Sequence, residues 1–538
     1  MLKLLFNRTH QKFTNDSVSF SNEKYDLETY GMFLGINFNS SQQLALHIIC
    51  AYQNKGAGFV NELRGSFSLI LKDKLLKKTF VYTNQVGDKR VYYYQLPKLT
   101  IISDSILSIS SFCKEHLIAI NINTQAAYQL LTFGYLLASE TLIEGVKRLI
   151  PGQFLEYSNG KLTVIKYYSL KNDEQTNLRE KDVVENIDAL FRKAIQLEYE
   201  KDLQYQLHHL TSLSGGVDCR MNTWVAHDMN YQHITNFTFS QTGYWDQIIA
   251  QQIASDLNHE WIFKSLNFGA FLTNVETVMQ NNEGATTYSN QTHLKNAIEI
   301  LNFKKFGLMH TGQVGDVMIG SFISNDAHQK PFFSKYISNK LIHKLDKSVL
   351  NNYPNQELFL MYNRAFNGAL ADHSIIQQYT EVVSPFLDVD FMNYCLSIPL
   401  KLRKNHSIYK KWILQKYPKA ADYIWESLGT TIRAKTIQIR GKSIPIKQIP
   451  HFGWKGLQFH LGLKQQNDTH AAFNMNPFDY WYKKNPALHD FFNRYYQENI
   501  GSITDKELKK DCSLLFNETT LEKMQVLSLL AVIKLIRN

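Results

Sequence analysis

The heptapeptide Ser214-Gly215-Gly216-Val217-Asp218-Cys219-Arg220 stands between the apolar run LHHLTSL and the helical pattern of MNTWVAHDM. That placement predicts a strand turning through two glycines into a helix. The glycines let the backbone approach a bound group closely, and the helix start leaves N–H groups aimed at one spot, a cradle suited to phosphate. Ser214 adds a hydroxyl to it. Asp218 is placed to hold a magnesium ion bridging phosphate oxygens, helix capping being its other available role. Cys219 is expected to be a buried, unreactive thiol.

The surrounding pattern says what must position this loop. Strands alternate with helices in HITNFTFS, YWDQIIAQQIASDL and FGLMHTG, which predicts a parallel α/β sheet with ligands at the carboxyl ends of its strands. Upstream, residues 59–105 read as strands rich in β-branched and aromatic residues, broken by Gly, Asp or Asn, as in a β-sandwich. The pattern returns in QFLEYSNGKLTVIKYYSL, with Asn159-Gly160 as a hairpin turn. The polar stretch 171–182 reads as a linker, and VVENIDALFRKAIQLEYEKDL beyond it has helical spacing, so a domain boundary is expected near 172–182. From about 330 the pattern is mostly helical, with LKQQNDTH (463–470) expected to be a loop. NPFDYWYKK (476–484) and the apolar MQVLSLLAVIKLI (524–536) are expected to pack on the core.

The 538 residues carry 58 Lys and Arg against 48 Asp and Glu, a net charge of +10. These cations are scattered and interleave with no aromatic stripe, so a solvated basic surface is expected and no nucleic-acid partner. An apolar share of 44% with 20% charged residues supports packed domains over disorder. Cys50, Cys113, Cys219, Cys395 and Cys512 lie far apart without a C-x-x-C, which argues against a disulfide framework or zinc ribbon and for a reducing compartment. No apolar run is long enough to span a membrane and no signal-peptide pattern opens the chain, so the expected location is the cytoplasm.

Several segments, in order, resemble the asparagine synthetase superfamily. The Ser214–Arg220 loop is similar to that family's S-G-G-x-D-S pyrophosphate loop. FVNELRGSFSLILKD with VGDKRVYYYQ resembles its F-V-x-x-L-x-G-x-F-A and D-x-x-G-x-x-x-L-Y-Y segments, and Lys147, Leu149, Pro151 and Gly152 resemble K-x-L-x-P-G. NFTFSQTGYWDQIIAQQIASDLNHE resembles the stretch that supplies part of the adenine pocket, with Phe239 on its strand. Thr311-Gly312-Gln313-Val314-Gly315-Asp316 stands where the family has S-G-E-G-x-D. DHSIIQQYTEVVSPFLD keeps Asp372, Glu381 and Pro385-Phe386-Leu387-Asp388 of a further motif.

The resemblance implies an α+β, Ntn-hydrolase-like β-sandwich domain over 1–175, a degenerate glutamine amidotransferase. It implies an α/β, adenine-nucleotide α-hydrolase-like pyrophosphate-loop domain over 183–538, with a helical carboxyl-terminal part. The implied reaction uses ATP and magnesium: a carboxylate attacks the α-phosphate to give an acyl-adenylate and pyrophosphate, and an amine then displaces AMP. Ser214, Gly215, Gly216, Asp218, Cys219, Phe239 and Gly312 would bind the nucleotide, and Asp218 and Asp316 the metal.

Departures from the family pattern shape the expectation further. Glutamine-using members open on a cysteine nucleophile, whereas Leu2 follows Met1 here, no cysteine precedes Cys50, and R-G-P-D and N-G-E-I-Y-N are absent. Cys50, in LALHIICAYQNK, is read as a core thiol. No glutaminase is therefore expected, and the amine comes from ammonia, a partner, a second small molecule, or the acyl substrate itself, as in β-lactam synthetases and lasso-peptide cyclases. Gln313 replaces a glutamate, Val317 an acidic residue, and Val383 an arginine. No lysine aligns with the family's R-x-K-x-x-F, which leaves Arg433 or Lys435 as the candidate cation, Lys435 being preferred, and Lys435 and Gln313 as the candidate catalytic residues. Three readings stand: an AMP-forming amide ligase acting on a small-molecule, sugar or peptide carboxylate, an intramolecular amide cyclase, or a nucleotide-binding scaffold. A homo-oligomer or a biosynthetic partner protein is left open.

Overall fold

A computed structural model describes residues 1–6, 12–175, 177–323, 329–439, 442–446 and 474–538. Its amino-terminal part is built on two sheets. Six antiparallel strands run in the order β10-β9-β5-β4-β3-β2: β2 Ser19–Ser21, β3 Tyr25–Leu34, β4 Arg64–Asp73, β5 Lys78–Thr83, β9 Gln153–Ser158 and β10 Lys161–Lys166. The second sheet has the order β1-β7-β6-β8, from β1 Leu2–Leu5, β6 Tyr92–Gln95, β7 Thr100–Ser103 and β8 Val146–Arg148, with β1 parallel to β7.

Period-two patterning sorts the side chains of these strands between two cores. Val81 and Ile70 join Ile102 and Leu155 between the sheets. Phe80 and Tyr82 point the other way, under helix α1, Ser41–Lys55, which gives Leu44, Ile48 and Ile49 to that side. The outer face of the smaller sheet is covered by α2, Ile106–Glu115, and α3, Thr124–Phe133. The sandwich is thus flanked by helices on both faces. Asn159 and Gly160 both have positive φ, 52° and 78°, the backbone that a type I′ hairpin needs. Residues 56–62 form a 3-10 turn, so the strand expected to begin at Phe59 begins at Arg64.

Beyond the polar connection, α4, Glu180–Gln204, leads into five parallel strands. Their order is β13-β12-β11-β14-β15, from β11 His208–Ser212, β12 Ile234–Ser240, β13 Glu260–Ser265, β14 Phe306–His310 and β15 Val382–Val383. Succession runs outward from β11 to β13 on one side and restarts at β14 on the other. The carboxyl ends of β11 and β14 therefore flank the switch point where open α/β sheets bind ligands. Helix α5, Val217–Asp228, follows β11, and α6, Trp245–Asp256, follows β12.

The carboxyl-terminal part is helical, though shorter and more interrupted than the pattern predicts, with π-helical turns at Val317–Ser321 and Met361–Gly368. LKQQNDTH lies outside the described residues. The helix Thr520–Arg537 starts at a Thr519/Glu522 capping box and is buried on nearly every side against elements of both halves. Further links join the halves: Lys89 to Glu381 at 2.7 Å, Arg64 to Asp390 at 3.3 Å, and buried Lys201 to Asp16 at 2.8 Å. Among the described residues no helix is long and apolar enough to cross a membrane.

Candidate active site

The loop from β11 to α5 takes the predicted course. Gly216 caps α5 without a side-chain hydrogen bond, so the first-turn N–H groups have no side-chain acceptor. Two loop N–H groups are engaged: that of Gly215 donates to Asp246 Oδ1 at 2.8 Å, and that of Gly216 to Ser214 Oγ at 3.2 Å. Burial raises the Asp246 carboxyl to about 6 against the lowering effect of the Gly215 bond, with Glu426 adding to the rise. Buried Arg220 ties the loop to the segment behind it, donating to the carbonyls of Gly215, Ala420 and Tyr423.

Asp316 meets Asp218 because the segment after β14 packs directly on the first turn of α5. A Cβ on Gly312 would lie 2.3 Å from Cys219 N, and one on Gly315 would lie 2.6 Å from Asp218 Cγ, so only glycine fits at either position. Between them Val314 holds a positive φ of 69°, a strained backbone for a β-branched residue of the kind that gathers at functional sites. The Asp316 N–H donates to Asp218 Oδ2 at 2.9 Å, and the Tyr409 hydroxyl donates to Oδ1 at 2.7 Å. Burial, then the neighbouring Asp316, pushes the Asp218 carboxyl up to about 8. Ser321 Oγ donates to Asp316. Two carboxylates made costly by mutual proximity suit a divalent cation, which relieves both.

A pocket of about 360 Å³ opens above this loop, with Ser214, Gly216, Cys219, Gly312 and Gln313 on one side. Phe239 lies on the other, its ring 5.6 Å from that of His293, and Met309 also lines the wall. Burial lowers the His293 imidazole to about 4, against the raising effect of a bond to the Ser289 backbone, leaving a neutral ring beside an aromatic face. An aminopurine, which offers a flat ring and an amino donor, fits that pair. Among the described residues no Lys or Arg lines the pocket, while Asp246, Asp372 and Glu426 do. Carboxylates on that wall favour a triphosphate that enters in company with a cation. The residues thus fit ATP with magnesium held by Asp218 and Asp316.

Gln313 is held by two neighbours: its NH₂ donates to Asp372 Oδ2 at 3.4 Å and its Oε1 lies 2.6 Å from His373 Nε2. Burial raises Asp372 to about 7. Burial also raises the Cys219 thiol, which contacts Ser212 Oγ at 3.6 Å and stays protonated. The sequence reading missed Asp246, His293, Tyr409 and Glu426 as site residues. Only Asp246, in the first turn of a predicted helix after a strand, carried a local signal.

Two family models match the chain in the order of its two halves. A glutamine amidotransferase domain model matches residues 35–168, and an asparagine synthase model matches residues 187–420. The chain belongs to the asparagine synthetase superfamily. Asparagine synthetase [glutamine-hydrolyzing] 2 of Bacillus subtilis is 27% identical over 241 residues, 40% of this chain and 30% of that protein. Amidase chyE of Penicillium rubens is 22% identical over 215 residues, 39% of this chain and again 30% of that protein. The chain therefore spans about 30% of the length of these curated relatives. An NH3-dependent NAD synthetase from Campylobacter jejuni is 14% identical, over 27% of this chain and 61% of its own, with a TM-score of 0.19.

Two positions singled out by the superfamily pattern stand apart from the site. Lys435 is exposed and does not line the nucleotide pocket. Cys50 is exposed on α1, where the core reading had it buried, because Leu44, Ala45, Ile48 and Ile49 occupy the helix's inner face. Its thiol accepts only from Asn54 Nδ2, at 3.5 Å. Between the halves lies a second, smaller cavity of about 60 Å³, lined by Arg64, Ser66, Asp88, Glu198, His373 and Asp388 among others, and by no cysteine. Behind it, His310 Nε2 and His209 Nδ1 both lie 2.7 Å from Asp202 Oδ2, a buried group whose ligand-type atoms bond one another.

Proposed function

We propose that the protein is an ATP- and magnesium-dependent, AMP-forming carboxylate–amine ligase whose amine does not come from a glutaminase site of its own. One observation carries the reading: Asp218 and Asp316 meet at the switch point beside an uncapped helix start and a pocket with an aromatic face.

In this reading the α5 start and Ser214 hold the phosphate chain, and Phe239 with His293 holds the adenine. Magnesium between the two aspartates would neutralise the charge that shifts toward pyrophosphate as the acyl-adenylate forms. Attack of the carboxylate oxygen on the α-phosphorus breaks the bond to the β-phosphate bridge. The amine nitrogen then attacks the adenylate carbonyl, AMP leaves with the bond electrons, and the amine's surplus proton goes to Asp372. That carboxyl, at about 7, is poised to take a proton near neutral pH. Gln313, a neutral amide, orients Asp372 and is not itself a base.

Loss of the glutaminase is supported by the exposed Cys50 and by the cysteine-free cavity between the halves. An internal amine, as in a lactam or lasso-peptide cyclase, would use the same residues. A scaffold without turnover is favoured by one feature, the lack of Lys or Arg among the described residues of the pocket wall, with Lys435 outside it. Pyrophosphate release from ATP and magnesium separates these readings, with pools of small carboxylates, uronic acids and peptides offered with and without ammonia or glutamine. Release that requires one carboxylate and ignores glutamine supports the ligase. Nucleotide binding with no release from any pool supports the scaffold.

A further inference from the structure

We propose that Asp88 of the amino-terminal half is a positioning residue for acyl transfer in the other half, acting through His373 and Gln313 on Asp372. The inference rests on the ligase reading above and gives the amidotransferase-like half a task that needs no thiol.

Asp88 lies on the connection between β5 and β6 and is buried. Its Oδ2 accepts from Ser66 Oγ at 2.6 Å and faces His373 Nδ1 at 3.2 Å, while Oδ1 accepts from the Lys89 N–H at 3.0 Å. His373 opens the short helix His373–Ile376 in the second half and is itself buried. Its other nitrogen, Nε2, lies 2.6 Å from Gln313 Oε1, and the Gln313 amide nitrogen lies 3.4 Å from Asp372 Oδ2. A continuous path thus crosses the interface from Asp88 to Asp372.

The donors and acceptors along this path fix its direction. An amide nitrogen only donates and an ionised carboxylate only accepts, so with Asp372 ionised, as it must be to take the amine's proton, the Gln313 NH₂ belongs on Asp372 and its oxygen on the ring. Nε2 must then donate, and Nδ1 faces the Asp88 carboxylate. If Asp88 no longer holds the ring, the amide is free to turn its oxygen onto Asp372, setting two acceptors face to face and displacing the carboxylate. The path also lies between two cavities, since Gln313 and Asp372 line the nucleotide pocket while Asp88 and His373 line the cavity between the halves. The segment bearing Asp88 is clamped across the interface by Lys89 and Glu381 at 2.7 Å.

The test compares parent and Asp88→Ala, which leaves the ring without a partner on Nδ1, in two half-reactions, using the carboxylate found by the pyrophosphate screen. ATP–pyrophosphate exchange reads adenylation, and amide formation from ammonium chloride reads acyl transfer. The expected result is a rise of at least tenfold in the ratio of exchange to amide formation. Arg64→Ala serves as the control, because it breaks the 3.3 Å bridge to Asp390 across the same interface without touching the path. An equal rise in Arg64→Ala, or no rise in Asp88→Ala, overturns the proposal. Absence of exchange in the parent would instead refute the ligase reading. A readout independent of turnover is NMR of ¹⁵N-histidine-labelled protein, with His373 assigned by the signal lost in His373→Gln. Two hydrogen-bonded ring nitrogens that respond to Asp88→Ala support the path, and a bare Nδ1 in the parent or an unresponsive ring overturns it.

Discussion

Replacing Asp218 by asparagine should stabilise the ligand-free protein while removing its response to magnesium and ATP. The folded carboxyl sits at about 8. An unfolded one sits near 3.9, and each unit of difference is worth about 1.4 kcal/mol, so at pH 7.5 the folded state carries a penalty of roughly 5 kcal/mol at face value. Asp218 retains some solvent contact, which reduces this to about 2–4 kcal/mol. Against it stands hydrogen bonding. The carboxylate accepts from both the Asp316 N–H and the Tyr409 hydroxyl, whereas an asparagine side chain has one acceptor oxygen, a loss of about 1–2 kcal/mol. The balance favours the variant by about 1–2 kcal/mol, a rise in Tm of roughly 1–2 °C for a chain of this length. The sign follows from the raised value: the group favours folding below about pH 4, and the penalty grows as pH rises toward 8. Thermal melts without metal at pH 5.5 and 8 should therefore show a larger gain at pH 8. Magnesium with ATP should raise the parent's Tm and leave the variant's unmoved. A variant that melts below the parent at pH 8, or whose gain ignores pH, would refute the reasoning.

Gly312→Ala would drive a Cβ to 2.3 Å from Cys219 N, forcing the segment bearing Asp316 off α5. The expectation is a stability loss of about 1–3 kcal/mol with loss of ATP binding, read by melting and calorimetry. Asp246→Ala leaves the Gly215 N–H without its acceptor, and should cost about 1–3 kcal/mol, read by the same melts, while weakening ATP binding measured by calorimetry. Burial lowers His310, but Asp202 and Glu198 outweigh it and raise the imidazole to about 9. Its contribution to stability is complete below about pH 6.5 and fades as pH approaches 9, so the Tm of His310→Gln should depend less steeply on pH than that of the parent between 7 and 9.5.

The strand-turn-helix around Ser214 was legible because its signals are local: an apolar strand, two glycines and a helical pattern within one stretch. The sheet on which it sits followed from the alternation of strands and helices, and the hairpin at Asn159-Gly160 from its turn chemistry. Tyr409, His293, Glu426 and the Asp88–His373 contact were not legible, since each reaches its place through tertiary packing between segments far apart in the chain. Cys50 shows the opposite failure. It lies in an apolar stretch, LALHIICAYQ, whose helical phase puts Ile48 and Ile49 inward and leaves the thiol outside. The helical region after 330 was misjudged in regularity because 3-10 and π turns differ from α-helix in hydrogen bonding and not in composition.

The central claim is that the Asp218–Asp316 site makes an acyl-adenylate. The most direct measurement supplies the accepted carboxylate labelled with ¹⁸O in both oxygens and follows the phosphorus products by NMR and mass spectrometry. The account predicts AMP and pyrophosphate in equal amounts, one ¹⁸O in the AMP, and neither product from Asp218→Asn. ADP with inorganic phosphate, or AMP without label, would contradict it.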